Sequence, residues 1–239
     1  MSDIAGQLGH IQSRISEAID QAGRDPESVK LIAVSKTFPA ESIREAMEAG
    51  QGCFGESRLQ EAATKIELLP SSLEWHFIGK VQSNKVRKIL PLFPYVHAID
   101  SFKLAIYAND IASELGLFPK VFLQVNQSDE VSKGGFSVAD LTAGFEQALS
   151  LSNIEVVGLM LIPPVTKSAE DARRWFRDLR VLRDELEQEF SVVLPFLSMG
   201  MSGDFEVAIE EGATHVRVGS AIFGKRSGRV DGELGELHE

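Results

Sequence analysis

The sequence predicts a single α/β domain built as a (β/α)₈ TIM barrel with an extra helix at its N-terminus. Strand-like apolar runs alternate with helix-like segments along the chain, and this alternation is typical of a parallel sheet. Eight such runs in 239 residues match a closed barrel better than a doubly wound sheet. An open sheet stays possible, although no glycine-rich dinucleotide motif follows the first strand and no P-loop is present.

The first segment predicts an amphipathic helix that covers the core. Ile4, Leu8, Ile11, Ile15 and Ile19 recur at helical spacing, with charged residues between them. A secretory signal peptide has a continuous apolar stretch instead, and none is present in this segment.

The remaining elements follow in strict alternation. The predicted strands are 30–36, 52–56, 74–79, 95–100, 120–126, 155–162, 195–199 and 214–218. The helices predicted between them are 40–49, 57–68, 82–90, 101–115, 137–150, 168–190 and 203–211. No linker or low-complexity block divides the chain, so we expect one domain over residues 1–225. The polar, glycine-containing segment 226–239 is expected to be a flexible tail.

Charge and cysteine content narrow the class of protein. The net charge of −11 disfavours general binding to nucleic acid or to an anionic membrane. Cys53 is the only cysteine, so no internal disulfide is possible, as is usual in a reducing compartment. No apolar run approaches the length that a transmembrane helix needs. We therefore expect a cytoplasmic protein, and we expect it to be a monomer.

Lys36, at the end of the first predicted strand, is the first candidate for chemistry. In a barrel the active site lies at the carboxyl ends of the strands. Strand alternation places Lys36 on the same face as Ile32 and Val34. A lysine at a strand end usually reaches solvent. Partial burial would instead lower its pKa and leave a neutral amine able to form an imine with an aldehyde.

Two loops rich in glycine and serine follow the last two predicted strands. They lie in LSMGMSGDFE (197–206), where Ser202 is the expected helix N-cap, and in VRVGSAIFGK (216–225). Phosphate sites in these barrels are often built from the loops after strands seven and eight. The alternative is that both loops are merely tight βα turns. Together with Lys36 they favour a phosphorylated aldehyde, either pyridoxal 5′-phosphate (PLP) or a sugar phosphate.

Seven motifs in the chain resemble those of one family. They are AVSKT, FGES, WHFIGKVQSNK, SDEVSKGGF, GLMLI, LSMGMSGD and VRVGSAIFG, spread from about residue 30 to 225. Together they resemble the YggS/PROSC family of pyridoxal phosphate homeostasis proteins. The resemblance implies the PLP fold-type III barrel shared with the N-terminal domain of alanine racemase.

The resemblance also implies a set of cofactor contacts. PLP would form a Schiff base with Lys36, and Arg217 would approach its pyridine nitrogen. The residues around the phosphate would be Ser198, Met199, Gly200, Gly219 and Ser220. An arginine tends to leave the ring nitrogen unprotonated, which suits storage or racemisation better than transamination. A carboxylate such as Glu56 is an alternative or additional partner for Arg217.

The expected cofactor-binding residues also include Ser57 and His76. The family commonly has FGEN followed by tyrosine, whereas Ser57 and Arg58 stand here, so a shorter serine hydroxyl replaces the asparagine amide beside PLP. His76 lies between aromatic residues in a predicted strand. It is expected in the core or behind the cofactor more than as a catalytic base.

The resemblance implies a PLP-binding protein that buffers the cofactor or delivers it, through transient contacts, to apo-enzymes that need it. A PLP-dependent amino-acid racemase is the alternative, and it needs a second acid/base opposite the lysine. The only tyrosines, Tyr95 and Tyr107, are predicted at a strand start and on a helix, which favours the carrier. A Schiff-base aldolase acting on sugar phosphates would explain the same lysine and loops.

Overall fold

Eight parallel strands close into a barrel, and each strand pairs with the next along the chain. The computed structural model describes residues 3–128 and 134–224. Most of the SDEVSKGGF motif, at 129–133, and the tail predicted at 226–239 lie outside the described residues. Pairing of β1 with β8, such as Leu31 with Val216, closes the sheet. The predicted barrel is therefore confirmed.

Every predicted strand is present, with its ends shifted by one or two residues. The strands are β1 (Lys30–Val34), β2 (Cys53–Glu56), β3 (Glu74–Phe77), β4 (Tyr95–Ile99), β5 (Lys120–Val125), β6 (Glu155–Leu161), β7 (Phe196–Met201) and β8 (His215–Val218). The helices are α1 (Ile4–Gln21), α2 (Ala40–Glu48), α3 (Leu59–Leu68), α4 (Val86–Ile89), α5 (Phe102–Leu115), α6 (Val138–Leu149), α7 (Ala169–Phe190), α8 (Phe205–Glu210) and α9 (Ser220–Phe223).

The N-terminal helix α1 covers one side of the barrel. Its isoleucine and leucine face is buried, as the helical spacing predicts, and it packs against α2, α8 and α9. The carboxylate of Asp3 caps the helix by accepting a hydrogen bond from the Gly6 amide at 2.8 Å. In the part of the chain that the structure describes, no helix combines the length and apolarity needed to cross a bilayer.

The barrel interior contains polar residues as well as aromatic rings. The ring centroids of His76 on β3 and His215 on β8 are 5.9 Å apart, although these strands are not neighbours. His97 on β4 stacks on Phe122 with a centroid distance of 4.1 Å. All four side chains are buried. The centre of the barrel is therefore a packed core that contains titratable groups.

Strand β1 ends at Val34, so Lys36 does not continue the strand as its alternation predicts. The Ser35 amide still donates to the Gly55 carbonyl of β2, and the chain then turns. Thr37 has a φ of 71°, which a β-branched residue rarely adopts. This turn, rather than strand alternation, determines the direction of Lys36.

Candidate functional site

A cavity of about 300 Å³ opens at the carboxyl ends of the strands, where barrel enzymes place their active sites. Its walls come from the loops after β1, β7 and β8, with contributions from β3 and β6. The lining residues are Val34, Lys36, Phe38, Ile78, Ile162, Met201, Ser202, Gly203, Arg217, Gly219, Ser220 and Gly224. Barrel closure explains this composition, because β8 lies beside β1.

Lys36 lies half-buried between two residues that are held by a buried ionic cluster. Ser35 donates its hydroxyl to Glu56 Oε1 at 2.8 Å, and its carbonyl accepts from Lys65 Nζ at 2.8 Å. On the other side, the Thr37 amide donates to Glu61 Oε1. Both neighbours of the candidate lysine are thereby fixed in place.

The ionic cluster itself consists of Glu56, Lys65 and Glu61. Lys65 Nζ lies 2.6 Å from a carboxylate oxygen of each glutamate. Burial raises the pKa of Glu56, and its contacts with Lys65 oppose that rise. Glu56, which the sequence offered as a partner for Arg217, is thus paired with Lys65 instead.

The loops after β7 and β8 meet through a serine. Ser202 Oγ accepts a hydrogen bond from the Gly219 amide at 3.3 Å and lies 3.4 Å from Ser220 Oγ. Ser202 is not the N-cap that the sequence predicts, because α8 begins after Asp204. The structure therefore places two hydroxyl groups and glycine backbone at one side of the cavity, a donor set suited to a phosphate.

Arg217 lies on the floor of the cavity and is almost fully buried. Its Nη1 donates to Ser198 Oγ at 2.6 Å, and its Nη2 donates to the Leu161 carbonyl at 2.9 Å. Burial lowers the pKa of Arg217 to about 10, so the guanidinium stays charged at neutral pH. The cavity lining thus includes a fixed positive charge.

Other predicted site residues lie outside this lining. Ser198 is buried beneath Arg217, and Met199 is fully buried among the core residues. Gly200 has a φ of 92°, and a Cβ there would come within 2.7 Å of Ala208 Cβ. Ser57 lines a separate depression beside α3.

His76 is buried inside the barrel and does not line the cavity. Its ring stacks on Tyr95 with a centroid distance of 4.4 Å. Nε2 of the ring is hydrogen-bonded to Glu74 Oε1, and Nδ1 is hydrogen-bonded to His97 Nε2, each at 2.8 Å. The structure therefore does not bring His76, predicted as a cofactor-binding residue, into the lining of the cavity.

The structure adds Gly203 and Ile162 to the lining, and it adds Ser202, which the sequence offered only as a helix N-cap. The register of β7 against β8 shifts between Ser198 and Met201. Strict alternation fails at such an irregularity, so the pattern does not tell which residue of LSMGMSG faces the cavity. The glycine and serine content of the loop was the available signal.

Fold and site together define a barrel protein with a lysine, a buried arginine and serine-rich loops at one mouth. A family model described as the N-terminal domain of alanine racemase matches residues 7–227, and the chain belongs to this family.

Several proteins with sequences similar to this chain share one description. A "Pyridoxal phosphate homeostasis protein" of Aquifex aeolicus is 46% identical over 221 residues, covering 92% of this chain and 97% of the relative. The protein of that name from Pseudomonas aeruginosa is 47% identical over 228 residues, covering 95% and 97%.

A solved structure also resembles the chain closely. PipY of Synechococcus elongatus with PLP bound is 42% identical, with a TM-score of 0.78, covering 88% of this chain and 100% of that one.

Proposed function

We propose that this protein holds PLP as a Schiff base on Lys36 and acts in PLP homeostasis, buffering the cofactor or delivering it to other proteins. One observation carries the proposal. A single cavity brings together the Lys36 amine, the Arg217 guanidinium and the serine and glycine loops of residues 202–203 and 219–220. When bound, PLP would supply an aldehyde that condenses reversibly with amines.

The chemistry of the lining residues fits the three reactive ends of PLP. Lys36 would take the aldehyde, and the hydroxyls of Ser202 and Ser220 with the loop backbone would hold the phosphate. Arg217 would face the pyridine nitrogen. Because a guanidinium does not readily give up a proton, it disfavours a protonated ring nitrogen. A site of this kind holds the cofactor without making it a strong electron sink.

The relatives support the same function. Proteins described as pyridoxal phosphate homeostasis proteins align over nearly the whole chain, and PipY was solved with PLP bound. For this protein we propose the cytoplasm as compartment, a monomeric state and transient contacts with apo-PLP enzymes. The single buried cysteine and the net charge of −11 are consistent with these assignments.

The tyrosines favour holding the cofactor over racemisation. Tyr95 begins β4 at the amino-terminal end of the barrel, where its hydroxyl lies 3.5 Å from Lys120 Nζ. Tyr107 lies on α5 and is partly exposed. Neither lines the cavity, so neither is placed to be the second acid/base that a two-base racemase needs.

Visible absorbance during PLP titration tests the proposal. The wild-type protein should develop a Schiff-base band that saturates near one PLP per chain, and Lys36→Ala should not. Lys103→Ala is the matched control, because Lys103 is exposed on α5 and outside the cavity. A colourless wild-type protein would refute PLP binding. Amino-acid racemisation well above that of free PLP would refute the carrier function.

A further inference from the structure

A continuous chain of hydrogen bonds crosses the inside of the barrel from Arg217 to Glu74. Arg217 Nη1 lies 2.6 Å from Ser198 Oγ. His97 then bridges Ser198 Oγ and His76 Nδ1, with 2.8 Å at each of its ring nitrogens. His76 Nε2 lies 2.8 Å from Glu74 Oε1. Four of these five side chains are buried, and Glu74 alone is partly exposed.

The groups at the two ends of this hydrogen-bond chain constrain which atoms along it donate and which accept. A guanidinium only donates, so Ser198 Oγ accepts from Arg217, and its own hydrogen is available to His97 Nδ1. A carboxylate only accepts, so His76 must carry its hydrogen on Nε2 and accept at Nδ1 from His97 Nε2. For neutral rings the carboxylate end therefore sets the arrangement, with both histidines protonated on Nε2, and the arginine end is compatible with it.

The surroundings of the histidines agree with neutral rings. Burial lowers the pKa of His76, against the opposing effect of Glu74, and it lowers that of His97 further, where the charge of Arg217 also disfavours imidazolium. His215, whose ring lies 6.1 Å from that of His97, is hydrogen-bonded to Thr214 Oγ1 instead and stays outside the chain. This arrangement needs no proton transfer along the hydrogen bonds between Arg217 and Glu74.

Glu74 anchors the chain at the amino-terminal mouth. It accepts from Lys30 Nζ at 2.8 Å as well as from His76, and its pKa is lowered to about 2, chiefly by the His76 hydrogen bond. Glu74 also borders a cavity of about 500 Å³ with Cys53. Cys53, Glu74 and His76 lie close enough to hold a metal ion, and His76 and Lys30 both bond to the same carboxylate oxygen, Oε1.

The carboxylate selects one of two possible directions. In the reverse direction His76 would carry its hydrogen on Nδ1, and the bare Nε2 would face a carboxylate oxygen with no hydrogen between them. That contact is repulsive, and it would be buried. A side chain without an acceptor at position 74, such as methionine, would remove this constraint, whereas a glutamine could keep it by accepting with its amide oxygen as Glu74 Oε1 does.

We propose that Glu74 is a positioning residue for Arg217. Through His76 and His97 it orients the Ser198 hydroxyl so that an oxygen lone pair is presented to Arg217 Nη1, which fixes the guanidinium at the floor of the cofactor cavity. The expected effect on PLP binding rests on the proposed function. The hydrogen-bond chain itself is a property of the protein without cofactor.

Histidine tautomers measured by ¹⁵N NMR test the inference in PLP-free protein. Wild-type protein should show His76 and His97 as neutral Nε2–H tautomers. Glu74→Met should shift one or both toward Nδ1–H, and it should weaken PLP binding by roughly 3- to 10-fold, the effect of losing one hydrogen bond. Glu155→Met, an exposed change at the start of β6 and the same mouth, should alter neither.

The outcomes separate the two proposals. An Nδ1–H tautomer at either histidine of the wild-type protein overturns the inferred direction of the hydrogen-bond chain. This measurement does not depend on the folding of any variant. Unchanged tautomers or unchanged PLP affinity in Glu74→Met overturns the positioning role. Failure of the wild-type protein to bind PLP overturns the proposed function while the tautomer result stands. Lys30→Met is a second variant, which keeps the carboxylate and should keep both tautomers.

Discussion

At the scale of single residues, the setting of Lys36 depends on its neighbours more than on its strand. Ser35 and Thr37 are both bonded to a buried cluster in which Lys65 pairs with Glu56 and Glu61. The side chains of Lys65 and Glu56 are 7% and 0% exposed. A buried pair adds little by its mere presence, but removal of one member leaves an uncompensated charge.

The first prediction concerns Lys65. Lys65→Met should lower the free energy of unfolding by about 3–5 kcal/mol, because Glu56 would lose its counter-charge inside the protein. Urea unfolding of the PLP-free protein measures this change. Loss of the Lys65 bond to the Ser35 carbonyl should also weaken PLP binding, since the residue before Lys36 would be held less firmly.

An exposed ion pair provides the comparison for this prediction. Arg87 and Glu114 form a pair at the surface, with side chains 51% and 56% exposed. Arg87→Met should leave the urea midpoint nearly unchanged, because solvent screens such pairs. Equal effects of the two substitutions would contradict the importance assigned to the buried cluster.

At the scale of elements, the sequence predicts which segments are strands better than it predicts where they end. Periodicity found every strand, because apolar runs of strand length alternate with amphipathic helical segments. It placed Lys36 in β1, whereas the left-handed φ of Thr37 belongs to a turn that no strand pattern reveals. It also could not assign the faces of β7, where the register shifts.

The inner faces of β3, β4 and β8 each carry a buried histidine, and these histidines predict an acid dependence of stability. Burial lowers the pKa of His215 to about 3, with further lowering from the nearby charge of Lys30. In the unfolded chain a histidine has a pKa of about 6.5. The unfolded state therefore binds more protons between these values, and stability falls as the pH drops below about 6.5.

The variant His215→Gln isolates this contribution. Between pH 6 and pH 4 the slope of unfolding free energy against pH should decrease by up to about 1.4 kcal/mol per pH unit. This value corresponds to one proton bound by the unfolded state and not by the folded state. Urea unfolding at several pH values gives the slope. His10→Gln, an exposed change on α1, should not alter it. A slope unaffected by His215→Gln would show that the residue is already protonated in the native barrel.

At the scale of the whole molecule, closure of the barrel assembles the candidate site. Lys36 and Arg217 are far apart in sequence, yet both line one cavity because β8 pairs with β1. This meeting could be predicted, since closure follows from eight alternating strands. The family resemblance then indicated which ligand is bound. The lysine and the two loops alone are compatible with either PLP or a sugar phosphate.

The hydrogen-bond chain from Arg217 to Glu74 could not be predicted in the same way. His76, His97 and Ser198 lie on β3, β4 and β7, and their contacts cross the barrel between strands that do not all pair. Sequence patterns describe which face of a strand is inside, but not which inward side chains meet across the interior. Those meetings depend on strand stagger and packing.

Reduction of the PLP-loaded protein with borohydride tests the central claim most directly. Hydride adds to the carbon–nitrogen double bond of a Schiff base and leaves a stable secondary amine, so the labelled lysine can be identified by peptide mass spectrometry. We predict one phosphopyridoxyl label per chain, on Lys36, and no such label in Lys36→Ala. A label at a different lysine, or no label in a protein that has turned yellow, would contradict the claim that Lys36 holds the cofactor.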